Sequence, residues 1–341
     1  MTMPKKQRFI VIAVAVLIVA IVLSSFVYLS YQKPYSGSVE PITIGVYPSE
    51  YSSLIYIAND QQYFSINGLK ITLKNYPSGS AAAKGMLNRE VDIATASEFV
   101  VANNALQNAN ICAFGSVSRY LNLYLIARTD RGINNILDLV GKRIGVATGT
   151  ANQFYLGRYL ELNGINENQV TLVNVNFVQT PSALSNGTID AAIIFQPYIN
   201  QIQSLLGSSI VTWPAQAEQF GYFEAICSRD WVSARPDLVV RFLKALIQAE
   251  NFNNDHRDEA IATVAKDLNY TNSYTASVWS DYDYSVKLDQ SFILLMQDEA
   301  RWLMNNNLTT ATSVPNFLDY IYVNGLKSTS PESINIIGLG S

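Results

Sequence analysis

The stretch NNILDLVGKRIGVATGTANQFYLGRYLELNGI, residues 134–165, decides the class of fold. Residues 143–147 have the largely apolar, β-branched character of a strand, residues 151–163 have the spacing of a helix, and the small polar turn 148–152 joins them. This unit of strand, turn and helix recurs in both halves of the chain. Strands that alternate with helices of this length predict an α/β protein with mostly parallel strands and helices on both faces of the sheet.

Composition narrows the class of function. The chain has 341 residues, 49% of them hydrophobic and 15% charged, which favours two folded domains over disorder. The single histidine, His256, excludes a three-histidine zinc site, and two cysteines exclude a four-cysteine metal site. Residues 1–40 hold four basic residues and one acid, so the remainder carries 19 basic and 26 acidic side chains, a net charge of −7. Such a body excludes a nucleic-acid partner, because phosphate binding needs a basic face.

The N-terminus predicts export from the cytoplasm. Residues 9–29 are apolar except for two serines, and as a helix they are about 31 Å long, enough to cross a hydrocarbon core of about 30 Å. Basic residues precede this run, so residues 1–8 should stay in the cytoplasm and the body outside the cell membrane. We expect residues 9–30 to form a transmembrane anchor and residues 31–40 a linker. A cleaved signal and a secreted protein are the alternative.

The two cysteines leave two alternatives open. Cys112 and Cys227 each lie in a strand-like run. Outside the membrane they could be paired, because disulfides persist in oxidising compartments. Two buried free thiols fit the sequence equally well.

Small polar turns precede several of the predicted helices. They are residues 47–52, 77–80, 96–98, 116–118 and 148–152. In open α/β sheets ligands lie beyond the carboxyl ends of the strands and against helix N-termini, so these turns are candidates for binding a small polar or anionic ligand. The alternative is that Ser, Thr and Gly in the turns only cap their helices. None of the turns has the pattern of a phosphate-binding loop.

Four segments together resemble a known family. They are ITIGVYPSEYSSLIYIANDQQYFSINGLKI (42–71), YPSGSAAAKGMLNREVDIATAS (76–97), the stretch 134–165, and QTPSALSNGTIDAAIIFQPYI (179–199). In order and spacing they resemble the solute-binding proteins of ABC importers for sulfonates, taurine, nitrate and thiamine-precursor pyrimidines. The resemblance covers residues 41–307. Its most specific parts are Asp138 with Gly141-Lys142, and the Asn186-Gly-Thr motif with Asp190.

The resemblance implies a fold and a set of partners. The fold is the two-lobed periplasmic-binding-protein fold of type II, with mixed sheets flanked by helices and a hinge of two crossing strands. One lobe would comprise residues 41–120 and 219–326, the other residues 121–218, and residues 327–341 would form a C-terminal tail. The resemblance further implies a monomer that binds a small-molecule solute and delivers it to an ABC permease and its ATPase, with no cofactor and no metal.

The resemblance also carries ligand contacts onto residues of the turns. In the first predicted lobe these are Ser49, Tyr51, Ser78, Gly79, Ser97 and Glu98, and in the second they are Thr148, Gly149, Thr150 and Gln196. Ser118, in the turn 116–118, is a further candidate contact. Aromatic residues that could stack on a ligand are Tyr47, Tyr51, Phe195, Tyr198 and Tyr222.

Some of these residues are predicted to have distinct roles. The helix that follows the turn 148–152 has partial positive charge at its start, which should hold the acidic end of the ligand. Glu98, if it faces the cleft, would read a cationic or donor end, as in a taurine-like zwitterion or an aminopyrimidine. The alternative is a first-turn glutamate that stabilises its own helix. Arg119 and Arg128, near the first crossing, could pair with a sulfonate.

We therefore predict an extracytoplasmic binding protein of an ABC importer for a sulfonate-like or taurine-like solute. Alternatives in the same class are a thiamine-precursor pyrimidine, nitrate or bicarbonate. An enzyme similar to the yeast-type thiamine pyrimidine synthase is a second class, but that chemistry uses an active-site histidine and a cysteine-rich motif. His256 lies in a polar segment between predicted helices and the chain has no cysteine cluster, so we predict no catalytic residue. An anchored sensor is the third class.

Overall fold

The computed structural model describes residues 35–338 as two β-sheets flanked by helices. The predicted segments 1–8 and 9–30, and the first four residues of the predicted linker, lie outside the described residues. Among residues 35–338, no helix is both long and apolar enough to cross a membrane.

Strands and helices alternate along the first two thirds of the described chain, and helices dominate the remainder. The strands are β1 (Glu40–Val46), β2 (Leu69–Asn75), β3 (Ile93–Ser97), β4 (Cys112–Tyr120), β5 (Tyr124–Arg128), β6 (Arg143–Val146), β7 (Thr171–Asn174), β8 (Ala191–Ile194), β9 (Ile210–Pro214), β10 (Gly221–Cys227) and β11 (Tyr282–Asp283). The α-helices are α1 (Ser53–Asp60), α2 (Tyr63–Ile66), α3 (Gly79–Leu87), α4 (Glu98–Leu106), α5 (Ala151–Leu162), α6 (Thr180–Ser185), α7 (Tyr198–Leu206), α8 (Arg229–Ala234), α9 (Pro236–Asp255), α10 (Arg257–Leu268), α11 (Asn272–Val278), α12 (Gln290–Asn305) and α13 (Asn324–Thr329).

The first sheet has the strand order β11-β4-β10-β3-β1-β2. β1 is parallel to both β2 and β3, whereas β3-β10, β10-β4 and β4-β11 are antiparallel pairs. β1 has an apolar side chain at every second position. Ile42, Ile44 and Val46 therefore all point into the core, where they are almost completely buried. The helices α1, α3, α4 and α9 to α13 belong to this half of the molecule.

The second sheet has the strand order β7-β6-β8-β5-β9. β6 is parallel to β7 and β8, and β5 is antiparallel to β8 and β9. β8 is Ala191–Ile194, and all four of its side chains are buried because α5 and α6 cover it. A central strand covered in this way reads as a continuous apolar run rather than an alternating one.

The chain passes twice between the sheets, from β4 to β5 through residues 121–123 and from β9 to β10 through residues 215–220. Within the described residues five strand pairs are antiparallel and four are parallel. The expectation of mostly parallel strands is therefore wrong, while the mixed sheets flanked by helices are confirmed. The reason is that β5 and β10 enter their sheets directly from the neighbouring sheet, without the crossover helix that keeps consecutive strands parallel.

The C-terminal part of the chain packs on the first sheet. α12 contacts α4, and α13 contacts α9 and β4. Beyond α13, Ile334 forms a bridge with Leu288, so the described part of residues 327–341 lies against this half of the molecule. This packing brings α12 under the start of α4, next to the site described below.

Candidate functional site

A cavity lies between the two sheets, where strand ends and helix starts from both sheets face one another. Its inner chamber has a volume of about 50 Å³ and adjoins an outer part of about 670 Å³. Both parts share five lining residues, which are Tyr47, Ser78, Thr150, Phe177 and Phe195. We refer to the chamber and the outer part together as the cleft.

Three helices begin at the inner chamber. α3 follows Ser78, α4 follows Ser97 and α5 follows Thr150, and all three preceding residues line the chamber. The first N–H groups of a helix have no acceptor within the helix, and the helix dipole adds partial positive charge there. Ser78 accepts one of these N–H groups at 3.1 Å, whereas neither Ser97 nor Thr150 caps its helix with its side chain. Donors from both halves of the molecule therefore converge on one small volume.

Gly79 allows the start of α3 to lie close to β3. A Cβ atom at Gly79 would be 3.0 Å from the Cα of Ala96 and 3.4 Å from the ring of Phe223. The first of these is a backbone contact that cannot move aside easily. The sequence has glycine here because the helix start, the neighbouring strand and an aromatic wall meet at this point.

The turn between β6 and α5 uses much of its own hydrogen-bonding capacity. Gly149 has φ +72°, and its N–H donates to Gln153 Oε1 at 2.9 Å. The N–H of Thr148 donates to a side-chain carbonyl of β7 at 3.2 Å. The hydroxyl of Thr150 donates to Ala147 O at 2.7 Å. These bonds hold the turn in shape before any ligand arrives.

The structure places Gly149 outside the lining of the cleft, with its N–H already bonded, so its predicted ligand contact finds no support here. The left-handed backbone at Gly149 turns the chain so that the start of α5 faces the chamber instead. Ala151 and Asn152 line the chamber there. Their N–H groups, in the first turn of α5, have no acceptor within the helix.

Aromatic rings form the walls of the chamber. Tyr51 packs against Phe195 from the other half of the molecule, with ring centroids 5.7 Å apart, and against Phe223, with ring centroids 5.1 Å apart. Phe177 meets Phe195 edge to face at 4.9 Å. Aromatic side chains bury large apolar areas, so these walls favour an apolar or flat ligand part.

Ser118 supports this wall from behind. It is completely buried, and its hydroxyl donates to the backbone oxygen of Tyr51 at 2.9 Å. The hydroxyl of Tyr51 in turn donates to Asn122 at 2.9 Å. The structure therefore places the hydroxyl of Ser118 against the backbone of Tyr51 and outside the lining of the cleft, so its predicted ligand contact finds no support here.

Glu98 is also completely buried and does not line the cleft. Its carboxylate accepts the N–H of Tyr222 at 2.9 Å and the hydroxyl of Tyr120 at 3.3 Å. It lies beside Glu299 of α12, and burial raises the pKa of Glu98 to about 8 and that of Glu299 well above the usual value for a carboxyl. The structure thus places the carboxyl of Glu98 beside Glu299 of α12 and outside the lining of the cleft, which does not favour the predicted contact with a cationic ligand end.

The cleft carries no charged side chain among the described residues that line it. Arg119 instead pairs with Asp283 and Asp289, and Arg128 pairs with Asp130. Neither arginine lines the cleft, although the sequence suggested that they could pair with a sulfonate. The polar groups that the lining offers are therefore helix N-termini, hydroxyls and amides rather than full charges.

Most of the other predicted contacts do meet in the cleft. Tyr51, Ser78, Gly79, Ser97 and Thr150 line the inner chamber, and Ser49, Ser78, Thr148, Thr150 and Gln196 line the outer part. The side chain of Gln196 points to α7, the helix that follows it, and donates to Asn200 at 3.0 Å. The structure thus brings together residues from four of the five predicted turns, and Gln196 beyond the end of β8.

Sequence reasoning missed several lining residues. Phe177 and Asn176 follow β7, and the rule that ligands lie beyond strand ends would have found them. Phe223 and Tyr120 lie inside antiparallel strands near the crossings between the sheets, and no local signal marks them. Tyr222, one of the predicted aromatic contacts, instead bonds Ser291 on the other side of β10.

The two mixed sheets around a cleft have the architecture of the periplasmic-binding-protein fold. The chain is similar in structure to the alkanesulfonate-binding protein SsuA from Xanthomonas axonopodis pv. citri bound to MOPS, with a TM-score of 0.72 at 18% identity. The match covers 84% of this chain and 100% of that one. The chain belongs to the NMT1/THI5-like family, whose model matches residues 49–260, more than half of its length.

One relative in sequence is named for aliphatic sulfonates and another for taurine. A Bacillus subtilis protein named for binding aliphatic sulfonates is 25% identical over 227 residues, which cover 65% of this chain and 68% of that one. The taurine-binding periplasmic protein of Escherichia coli is 24% identical over 194 residues, 56% of this chain and 60% of that one. The matched segments thus span about three fifths to two thirds of these curated relatives.

The same fold also carries an enzyme. The desulfurization enzyme DSZB, in complex with biphenyl-2-sulfinic acid, matches with a TM-score of 0.61 at 16% identity over 85% of this chain. A likeness at this level concerns the fold alone. What the present chain does must be argued from the residues of its own cleft.

Proposed function

We propose that this protein is the extracytoplasmic binding component of an ABC importer and that it captures a small organic sulfonate in the cleft. The observation that carries the proposal is the convergence of three helix N-termini on a neutral chamber with aromatic walls. The names of the two relatives support the class of solute. Family membership supports the class of protein.

The head group of a sulfonate suits the helix starts. It has one negative charge spread over three oxygen atoms, so each oxygen can accept from a different group of donors. The chamber presents donors at the starts of α3, α4 and α5 and hydroxyls at Ser78 and Ser97. A sulfonate stays ionised throughout the physiological pH range, so the dipoles act on it at every such pH.

The rest of the solute is expected to be apolar. Beside the helix starts lie the rings of Tyr51, Phe195 and Phe223 and the side chain of Val100. Apolar surface that these groups remove from water contributes roughly 25 cal/mol per Å². Nitrate or bicarbonate would leave this surface without a partner, which makes them weaker candidates.

A taurine-like zwitterion is also a weaker candidate than a simple sulfonate. Its ammonium group would need a carboxylate or several acceptors, since an unpaired charge is costly to remove from water. The lining residues offer no carboxylate, because Glu98 is turned towards α12. We therefore expect an alkane- or arenesulfonate without a terminal amine to bind more tightly than taurine.

Capture and delivery follow from the two halves of the molecule. We propose that residues 41–120 with 219–326 and residues 121–218 act as two lobes that close on the solute about their two connections. The closed form would then dock on a permease whose ATPase drives import. The transport partners are inferred from family membership and are part of the same proposal.

The location of the protein belongs to this proposal too. We propose that the apolar run 9–30 holds the body on the outer face of the cell membrane, with a cleaved signal as the alternative. Fractionation of cells that express the full chain tests this directly. Membrane-bound protein with an intact N-terminus is the expected result, and a soluble exported form that begins after the apolar run would indicate cleavage.

We infer a binding protein rather than an enzyme from the chemistry of the cleft. Its ionisable lining groups are tyrosines, and burial raises the pKa of Tyr47 and Tyr51 well above 10, so neither is poised to move protons at neutral pH. His256 is more than half exposed and stacks on Phe252 in α9, away from the lining residues.

A thiamine-precursor pyrimidine is the second candidate solute. The observation in its favour is the aromatic wall, since flat heterocycles stack on such rings. Hydroxyl and amide groups at Ser78, Asn152 and Asn176 could bond its ring nitrogens and exocyclic amine. It lacks the negative charge that three helix starts favour, so we rank it below a sulfonate.

Thermal unfolding of the purified protein with a panel of solutes tests the proposal. The panel comprises propanesulfonate, benzenesulfonate, taurine, an aminopyrimidine precursor, nitrate and bicarbonate. A solute at about 100 times its dissociation constant stabilises the folded form by about 2.7 kcal/mol, which raises the melting temperature. We expect the two simple sulfonates to do so. Stabilisation by the pyrimidine alone would favour the second candidate, and no shift with any solute would refute both.

A further inference from the structure

Cys112 and Cys227 lie opposite one another at one end of the first sheet. Cys112 is the first residue of β4 and Cys227 the last residue of β10, and the two are direct partners in the antiparallel register. Their Sγ atoms are 3.8 Å apart, and both side chains are buried. We propose that the exported protein carries a disulfide between Cys112 and Cys227, which closes the segment between them, with the whole second sheet, into a loop.

The backbone geometry suits this bond. Direct partners in an antiparallel pair have Cα atoms about 4.5 or 5.5 Å apart, and both values lie within the range of about 4.4–6.8 Å that disulfides bridge. The sulfur atoms already face each other across the ladder. Closing the bond therefore requires movement of the two side chains, with β4 and β10 left in register.

The bond would enclose the second sheet, because of where the two cysteines lie in the sequence. All strands of the second sheet, and both connections between the sheets, lie between Cys112 and Cys227 in sequence. The two cysteines stand at the end of the β4-β10 ladder, whereas Tyr120 and Gly221, beside the connections, stand at the other end. The disulfide would join β4 and β10 at the ends that lie farthest from the second sheet.

The ladder between these two ends is irregular. Its register shifts between Phe223 and Glu224 and again between Ala225 and Ile226. Bulges of this kind interrupt the hydrogen bonding and strengthen the local twist. A covalent bond beyond the second irregularity would prevent β10 from sliding along β4 when the halves of the molecule move.

The oxidation balances with a disulfide as the oxidant. One cysteine thiolate attacks the S–S bond of a protein disulfide or of oxidised glutathione; that bond breaks, one of its sulfurs leaves as a thiolate that takes up a proton, and the other forms a mixed disulfide with the cysteine. The second thiolate displaces the carrier, which leaves as a thiol. In total two protons and two electrons pass from Cys112 and Cys227 to the oxidant. Burial raises the pKa of Cys227 in the folded chain, so the exchange belongs to the stage before β4 and β10 close over the thiols.

The inference rests on the extracytoplasmic location in the proposed function and not on the identity of the solute. An oxidising compartment is where such a bond forms and persists. Because no ligand enters the measurements below, failure of the disulfide and failure of sulfonate binding are distinguishable.

Mass spectrometry of the exported full-length chain provides the first test. The protein is unfolded without reductant in the presence of a thiol-alkylating reagent. We expect no alkylation, a mass lower by two hydrogen atoms than that of the reduced chain, and a cross-linked peptide that contains both cysteines. Alkylation of both cysteines, even after the chain has refolded with oxidised glutathione, would overturn the proposal.

Thermal unfolding with and without dithiothreitol provides the second test. A bond that closes a loop of about 100 residues restricts the unfolded chain, so reduction should lower the melting temperature by about 5–10 °C. The double variant Cys112→Ala/Cys227→Ala is the control, and its melting temperature should not respond to the reductant. An unchanged melting temperature on reduction of the wild type, or an equal response in the double variant, would contradict a stabilising disulfide.

Discussion

Thr150 immediately precedes α5 and lines the chamber, so a change of charge at this residue tests whether the head group binds at this helix start. Asp and Asn are equally good residues to precede a helix, but only Asp places a carboxylate at the proposed position of the head group. Thr150 lines both parts of the cleft and bonds only the nearby Ala147 O with its hydroxyl. We expect Thr150→Asp to weaken sulfonate binding by about 100-fold or more, because like charges then meet in a confined site.

Thr150→Asn is the matched control for this variant. It has nearly the same size and capping ability without the charge, so its affinity should stay within about tenfold of the wild type. Calorimetric titration of benzenesulfonate into the wild type and both variants measures the difference. Equal affinity in the Asp and Asn variants would mean that the anion lies elsewhere.

Glu299 and Glu98 form a buried carboxyl pair that should make stability depend on pH. Both pKa values are raised by burial, that of Glu98 to about 8, whereas the ordinary value for a glutamate is 4.5. Between these pH values the folded chain holds a proton that the unfolded chain releases, so the free energy of unfolding falls as pH rises through this window. Below pH 4.5 both states are protonated and the stability from this source is fully present.

Glu299→Gln removes one member of the pair and the repulsion within it. We expect the dependence of stability on pH between 5 and 8 to become shallower, by up to about 1.4 kcal/mol per pH unit. The variant should therefore gain most relative to the wild type at pH 8. Urea unfolding at several pH values gives the slopes, with Asp298→Asn, on the exposed side of α12, as the control. Parallel pH profiles in the wild type and Glu299→Gln would show that this pair does not cause the pH dependence.

At the scale of elements, the motifs that mark the family in the sequence turn out to build the second sheet. Asp138 accepts the N–H groups of Asn134 and Asn135 and caps the short turn before β6. Asp190, before β8, accepts the N–H of Arg143 at 3.0 Å and two further bonds from its guanidinium. These residues join neighbouring elements, which explains their fixed spacing without any ligand.

The pair between Asp190 and Arg143 gives a testable consequence. Asp190 is largely buried, and its three bonds include a two-pronged contact with the guanidinium, so Asp190→Asn should cost about 1–3 kcal/mol of stability. Asp130→Asn is the control, because the Asp130 side chain is about half exposed and a surface pair contributes only about 0–1 kcal/mol. Urea unfolding at pH 7 compares the two.

The effect should also fade in acid. Arg143 lowers the pKa of Asp190 below its ordinary value of 3.8, so this stabilisation is present above that pH and is lost as pH falls through the lowered value. An equal loss of stability in both variants at pH 7 would mean that the buried pair has no special weight.

At the scale of the whole molecule, one side chain joins both connections between the sheets. Gln216 accepts the N–H groups of Asn122 and Leu123 at 2.8 and 3.0 Å. It also donates to the backbone oxygens of Tyr120 and Gln219. A buried amide that bonds four backbone groups holds the two connections side by side.

This arrangement predicts compaction on binding. Small-angle scattering with saturating benzenesulfonate should give a smaller radius of gyration than without it, as the halves close about the two connections. The Thr150→Asp variant is the control, and the same concentration should leave its scattering unchanged. Thermal stabilisation of the wild type without any compaction would contradict closure and point to a preformed closed site.

How far the sequence alone leads depends on the range of the interactions involved. The strands, the helices and the small polar turns before α3, α4 and α5 could be predicted, because side-chain periodicity and capping act over a few residues. The rule that ligands lie beyond strand ends pointed to the turns that hold Ser78, Ser97 and Thr150, the family resemblance singled out these residues, and all three line the chamber. For these residues, the local sequence signal agrees with the position in the folded protein.

Other residues owe their roles to partners far away in the chain. Glu98 starts a helix beside the cleft, yet α12, about 200 residues later, packs beneath it and leaves its carboxyl buried beside Glu299. Phe223 reaches the chamber because β10 returns antiparallel from the second sheet. The same return places Cys227 against Cys112. Periodicity reveals which face of an element is buried, but only long-range packing determines which groups meet there. The absence of charged side chains from the described lining of the cleft therefore depends on the tertiary structure.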